Sequence, residues 1–226
     1  MHITHRYHSF IFLVFLLLGI ASGAKAQSES HFDGFSADLA FGYRMISAST
    51  TSALTINGNA VPSSVSSSQP TNTLSALAVG YNFNISPGYY LGIGASIVPG
   101  SGQAQQVQLQ ALNQTINLQG VKPLYNYGIF LSPALIIGEG LAYFKAGTQT
   151  QVNNSNTSSN YNGYLLGLGY KQFVYQSIYL FGEVDYVAYN NQTSGRTADA
   201  SGRLANISIN TAPSGERFLL GLGYQF

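Results

Sequence analysis

Ser214-Gly215-Glu216-Arg217-Phe218-Leu219-Leu220-Gly221-Leu222-Gly223-Tyr224-Gln225-Phe226 is the stretch from which the fold can be read. Its even positions Phe218, Leu220, Leu222, Tyr224 and Phe226 are apolar or aromatic. Its odd positions Arg217, Gly221, Gly223 and Gln225 are small or polar, with Leu219 the one exception. A period of two describes a β-strand with one greasy face and one polar, crowded face. A strand of this kind, closing the sequence on an aromatic residue, points to the last strand of a transmembrane barrel.

Seven earlier segments repeat the pattern, each near the about 9–11 residues that a tilted strand needs to cross a bilayer. They are Asp33 to Ile46, Thr73 to Phe83, Tyr89 to Val98, Lys122 to Leu131, Gly140 to Val152, Tyr161 to Gln172 and Ser177 to Asn190. In the first, Phe35, Leu39, Phe41 and Tyr43 oppose Ser36, Asp38, Gly42 and Arg44. In the sixth, Tyr164, Leu166 and Leu168 oppose Gly163, Gly167 and Lys171. The fifth leaves its register open, because Leu141 and Tyr143 share parity with Lys145. Charges inside the well-patterned segments fall opposite the apolar face, except Glu216 at the outer edge. A lipid-facing Arg or Lys at the midplane costs about 2–4 kcal/mol, so a bilayer would select this sorting.

The connections alternate in length. Short links are expected at Asn84 to Gly88, Ser132 to Gly138 and Phe173 to Gln176. Long ones are expected at Ser47 to Asn72, Pro99 to Val121 and Asn191 to Pro213, with Asn153 to Asn160 shorter. The expected fold is an all-β, eight-stranded antiparallel up-and-down transmembrane β-barrel with short periplasmic turns and long extracellular loops. A soluble lipocalin-like barrel would invert the faces and expose a wide, nearly lysine-free surface.

Composition bounds the function classes. Residues 1–26 read as a cleaved secretory signal peptide: Arg6 without an acid, the apolar run Phe10 to Ile20, then Ala24-Lys25-Ala26. Residues 27–226 form the barrel domain. Without Arg6 and Lys25, seven Lys and Arg face eight Asp and Glu, which is no electrostatic footprint for nucleic acid. Charged residues make up 8% of the chain, and cysteine is absent. No disulfide, thiol nucleophile or metal-ligand cluster is therefore expected. His31, the one histidine left after signal cleavage, precedes the first strand, where a solvated tail residue is the expectation. No catalytic, cofactor or metal site is expected. The recurrence of Leu165-Leu166-Gly167-Leu168-Gly169-Tyr170 as Leu219-Leu220-Gly221-Leu222-Gly223-Tyr224 reads as two strands meeting the same bilayer and lumen. No G-x-G-x-x-G or helix follows it, so it carries no nucleotide signature.

With these features the chain resembles the small outer-membrane β-barrels of the OmpA transmembrane-domain, OmpX and opacity-protein type. The family's assembly signal places a glycine five residues before a terminal aromatic, with another aromatic two before the end. Gly221, Tyr224 and Phe226 match it, while the polar residue usual at the position of Leu219 is missing. The resemblance implies insertion into an outer membrane of lipid and lipopolysaccharide by the barrel-assembly machinery. It also implies that the long loops are extracellular; with the sequence ending at Phe226, the periplasmic peptidoglycan-binding domain of longer relatives is expected to be absent.

The inward charges Asp38, Arg44, Lys145, Lys171, Glu183, Asp185 and Arg217 form the candidate site. Buried charges must be paired or hydrated. Lys145, Glu183 and Asp185 are expected near mid-height, with Asp38 joining from the first strand, as a structural plug. A gate in a small-solute channel is the alternative. The expected function is that of a non-enzymatic surface protein that supports membrane integrity and adheres to a host surface ligand through polar loops.

Overall fold

The computed structural model describes residues 32–56, 59–61, 63–67, 72–100, 106–111, 114–119, 122–154, 160–200 and 203–226. The expected signal segment and His31 lie outside the described residues.

The strands, in chain order, are β1 (Gly34–Ile56), β2 (Asn59–Val61), β3 (Ser63–Ser67), β4 (Asn72–Ser86), β5 (Tyr89–Pro99), β6 (Gln106–Ala111) and β7 (Gln114–Gln119). They continue as β8 (Lys122–Ile137), β9 (Gly140–Asn154), β10 (Tyr161–Tyr175), β11 (Ile178–Tyr189), β12 (Gln192–Ala200) and β13 (Arg203–Gln225). Eight of them form the wall, in the order β13-β11-β10-β9-β8-β5-β4-β1, and pairing of β13 with β1 closes it. All these pairs are antiparallel. The eight expected segments are the eight wall strands.

Closure leaves the wall no free edge, so every backbone polar group at membrane depth can be satisfied within the sheet. The alternating side chains then face two solvents. Phe35, Phe41, Val79, Ile129 and Leu168 stand outward and exposed, while Ser36, Asn82, Gln149 and Asp185 are buried inside. That is the arrangement of a membrane barrel and the reverse of a lipocalin. Aromatic rings ring both ends of the apolar band. Phe35–Tyr81 and Tyr224–Phe226 pack at 4.8 and 4.9 Å near the turns, and Tyr164–Tyr186 and Tyr125–Tyr127 at 6.3 and 6.2 Å near the other rim. From Tyr164 to Tyr175 along β10 is eleven residues, which at about 3.3 Å each and a tilt of about 40° spans roughly 28 Å of membrane.

The connections differ from expectation in two ways. The short links are tighter: Pro87-Gly88, Gly138-Glu139 and Gln176-Ser177. Gly88 and Gly138 take φ of 77° and 63°, the left-handed region that such turns need. Ser132 to Ile137, expected as a link, continues β8 with its alternation intact: Ala134 is inside, Leu135 and Ile137 outside. Pro133 coincides with a skip in the β8–β9 ladder from Leu131–Ala146 to Ala134–Tyr143.

On the opposite rim, much of the expected loop is strand. β1 stays paired with β13 through Ile56–Ala205, and β2 and β12 flank that pair. β3, β6 and β7 form a separate three-stranded sheet. β1 and β13 run 23 residues each. About 9–11 residues cross the lipid, so roughly half of each strand rises beyond it.

Candidate functional site

The lumen is the candidate site, and its floor lies at the end with the short turns. Phe32, Tyr90, Leu141, Phe173, Tyr179 and Phe181 are buried together there. Phe32 packs on Phe173 at 4.8 Å and on Tyr90 at 6.2 Å, and Phe173 meets Tyr179 edge-on at 5.7 Å. The lumen-facing side at this end is therefore a small apolar core, which settles the fifth strand. Leu141 and Tyr143 point inward together with Lys145, while Phe144 is exposed outside.

Above the floor stands a charged layer drawn from β9, β10, β11 and β1. Lys145 Nζ lies 2.7 Å from Glu183 Oε1, with both side chains nearly inaccessible. The Tyr143 hydroxyl donates to Glu183 Oε2 at 2.9 Å, so both carboxylate oxygens have donors. The same Nζ sits 4.3 Å from the centre of the Phe130 ring. Tyr179 donates its hydroxyl to Asp38 Oδ1. Lys171 Nζ lies over the rings of Tyr179 and Tyr143, 5.1 and 5.8 Å from their centres. Buried charge becomes tolerable when opposite charge, hydroxyls and ring faces surround it.

One layer further out, Arg217 donates to Asp185 Oδ2 at 2.8 Å and, across the lumen, to Gln149 Oε1 at 3.1 Å. Arg44 is buried beside them, directly opposite Arg217 on the β1–β13 ladder. All seven expected charges thus line one interior. Five of them join through the two ion pairs and the Tyr179–Asp38 bond, whereas Lys171 and Arg44 stand in neither ion pair.

Sequence reasoning missed the neutral partners Tyr143, Tyr179, Phe130, Phe181 and Gln149. A signal for most of them exists in the glycines. Across neighbouring strands, Tyr143 faces Gly169, Phe181 faces Gly221, Tyr179 faces Gly223 and Phe130 faces Gly94. A Cβ on Gly221 would stand 2.5 Å from the Phe181 ring, and one on Gly169 would meet the Tyr143 ring. Each inward ring lies down over an inward glycine. The repeated Leu-Gly-Leu-Gly-Tyr thus supplies two notches per strand. Gly167 serves charge in the same way: a side chain there would strike Asp185 Oδ1.

Between the filled C-terminal half and the opposite wall remains a cavity of about 60 Å³. Its far side carries small residues of β1, β4 and β5, such as Ser36, Ala40, Ala78 and Ser96. A water centre needs about 10–15 Å³, so the space suits a few waters or a very small solute.

No family model matches the chain, and no curated protein matches it in sequence. Among solved structures, it is similar to the outer membrane protein OprG from Pseudomonas aeruginosa at 14% identity and a TM-score of 0.59. That match covers 88% of this chain and 99% of OprG. The outer membrane protease OmpT from Escherichia coli matches with a TM-score of 0.46 at 10% identity, over 91% of this chain and 100% of its own. Neisserial surface protein A follows at 0.43 and 11%, over 86% and 98%. The likeness to OprG is one of fold.

Proposed function

We propose, on the premise that this chain folds as a small outer-membrane β-barrel, that it is a non-enzymatic surface protein whose barrel displays a β-structured crown to a host surface ligand. One observation carries the reading. The lumen holds an aromatic floor and two buried ion pairs, while β1 and β13 continue far past the lipid. A barrel filled in this way is a rigid mount, and recognition usually resides on what a rigid scaffold presents. Gly221, Tyr224 and Phe226 would act as the assembly signal, with lipopolysaccharide as the surrounding lipid.

The test is deletion of residues 49–69 from the full chain, followed by binding of whole cells to host cells and matrix. Lost binding with unchanged outer-membrane abundance is expected; unchanged binding would remove the adhesive part. The cavity beside the ion pairs favours a second reading, a gated channel for small solutes. Steady planar-bilayer conductance by the unaltered chain, rising in Glu183→Ala, would move the function to that reading.

A further inference from the structure

We propose that the extracellular end of the lumen is a binding site for a small oxyanion (carboxylate, phosphate or sulfate) held between Arg44 and Arg217. Arg44 faces Arg217 across β1–β13, and Arg217 faces Asp185 across β13–β11. One row of the wall thus carries two guanidinium groups and one carboxylate. Directly opposed like charges destabilise a sheet, and a buried charge without a counterion costs more than a paired one. Arg217 meets Asp185 and Gln149. Arg44, more than nine-tenths buried, stands in neither of the two ion pairs of the lumen, and its Nε has no acceptor.

Unmet donors gather at the same level. Arg44 Nε, Arg217 Nε, Gln149 Nε2 and Asn72 Nδ2 are buried without an acceptor, and Asn72 sits directly opposite Arg44 on the β1–β4 ladder. Of the unmet acceptors, Asp185 Oδ1 is turned toward the notch at Gly167. A place with surplus N–H groups and one uncompensated positive charge calls for an acceptor that is itself negative. Guanidinium forks match the planar or tetrahedral oxygens of carboxylate, phosphate and sulfate. The way in is from the crown side, because β1 rises toward that side from Asp38 to Arg44 and the aromatic floor closes the other.

Residues 27–226 contain only four arginines: Arg44, Arg196, Arg203 and Arg217. Their Nε–H signals can therefore be followed by nuclear magnetic resonance in the refolded full chain, in detergent micelles at constant ionic strength. The probe is inorganic phosphate. Saturable, joint shifts of the Arg44 and Arg217 signals are expected, with Arg196 and Arg203 unmoved. Arg44→Lys keeps the charge, removes the fork and should still fold, as heat-modifiable gel migration reports. It should weaken phosphate binding about tenfold, the value of one charge-assisted hydrogen bond. Linear, unsaturable shifts would overturn the site and leave water as its occupant. Saturation that spares Arg44 and Arg217, or is unchanged in Arg44→Lys, would overturn it equally. None of these outcomes touches the crown, so the adhesive reading stands or falls separately.

Discussion

Replacing Glu183 by alanine removes the one carboxylate that serves two buried donors, Lys145 at 2.7 Å and Tyr143 at 2.9 Å. Breaking a buried pair from one side costs about 3–5 kcal/mol, because the remaining charge stays desolvated. Two features pull the figure toward the lower end. The Phe130 ring already holds Lys145 Nζ, which is worth about 1 kcal/mol, and the adjoining cavity can admit water. We expect a loss of about 3 kcal/mol, roughly 6–12 °C in unfolding midpoint for a chain of this length. The assay is denaturant unfolding of the refolded barrel in phosphocholine bilayers, with Lys145→Met, Glu183→Gln and the Lys145→Met/Glu183→Gln double variant alongside to close the cycle. Removing both charges leaves neither unpaired, so the double variant should lie within about 1 kcal/mol of the parent. The resulting coupling should exceed about 2 kcal/mol. Strict additivity, or a cost below about 1 kcal/mol for Glu183→Ala, would refute the claim that the pair stabilises the filled lumen.

Gly221→Val should prevent folding or cost about 3 kcal/mol, because its side chain would enter the Phe181 ring and the Leu39 carbonyl; Phe181→Ala in the same chain should recover part of the loss, read by gel migration. Leu168→Lys places a charge on the exposed lipid face and should cost about 2–4 kcal/mol in bilayer unfolding, against about nothing for Leu168→Ile. Phe32→Ala and Phe173→Ala together open the aromatic floor, and single-channel recording should show conductance events that the parent lacks.

The outward face was nearly all legible, because lipid imposes one rule along the whole strand: Phe35, Leu39, Phe41 and their counterparts had to be apolar. The inward face obeys two rules. At mid-height it is polar, and Asp38, Lys171, Glu183 and Asp185 advertise that. Toward the turns it is a core in its own right, so Tyr179, Phe181, Leu141 and Tyr90 break the alternation without changing face. Leu219, the irregular residue of the closing stretch, belongs to the same set. It is buried inside opposite Gly42, where a Cβ would stand 2.9 Å from its Cδ2. The extended rim was obscured for another reason. Ser, Thr and Asn read as loop composition, yet β-branched threonines at Thr50, Thr51 and Thr55 suit strands equally well, and pairing with β13 settles them as strand. Which buried groups pair lies beyond any sequence rule, since register and closure decide who meets whom.

The seam between β1 and β13 sets an order in time. Its 21 pairs run from Ser36–Gln225 to Ile56–Ala205, and the first joins residues 189 positions apart. Bringing such distant ends together costs roughly 5 kcal/mol of chain entropy before the first bond forms, far more than any two-residue turn demands. Hairpins such as β4–β5 and β10–β11 should therefore form early, and the cylinder should zip shut last. Until then the first strand carries a long bare edge, open to any other extended chain. The strand that opens the barrel must be kept from wrong partners until the strand that ends it arrives.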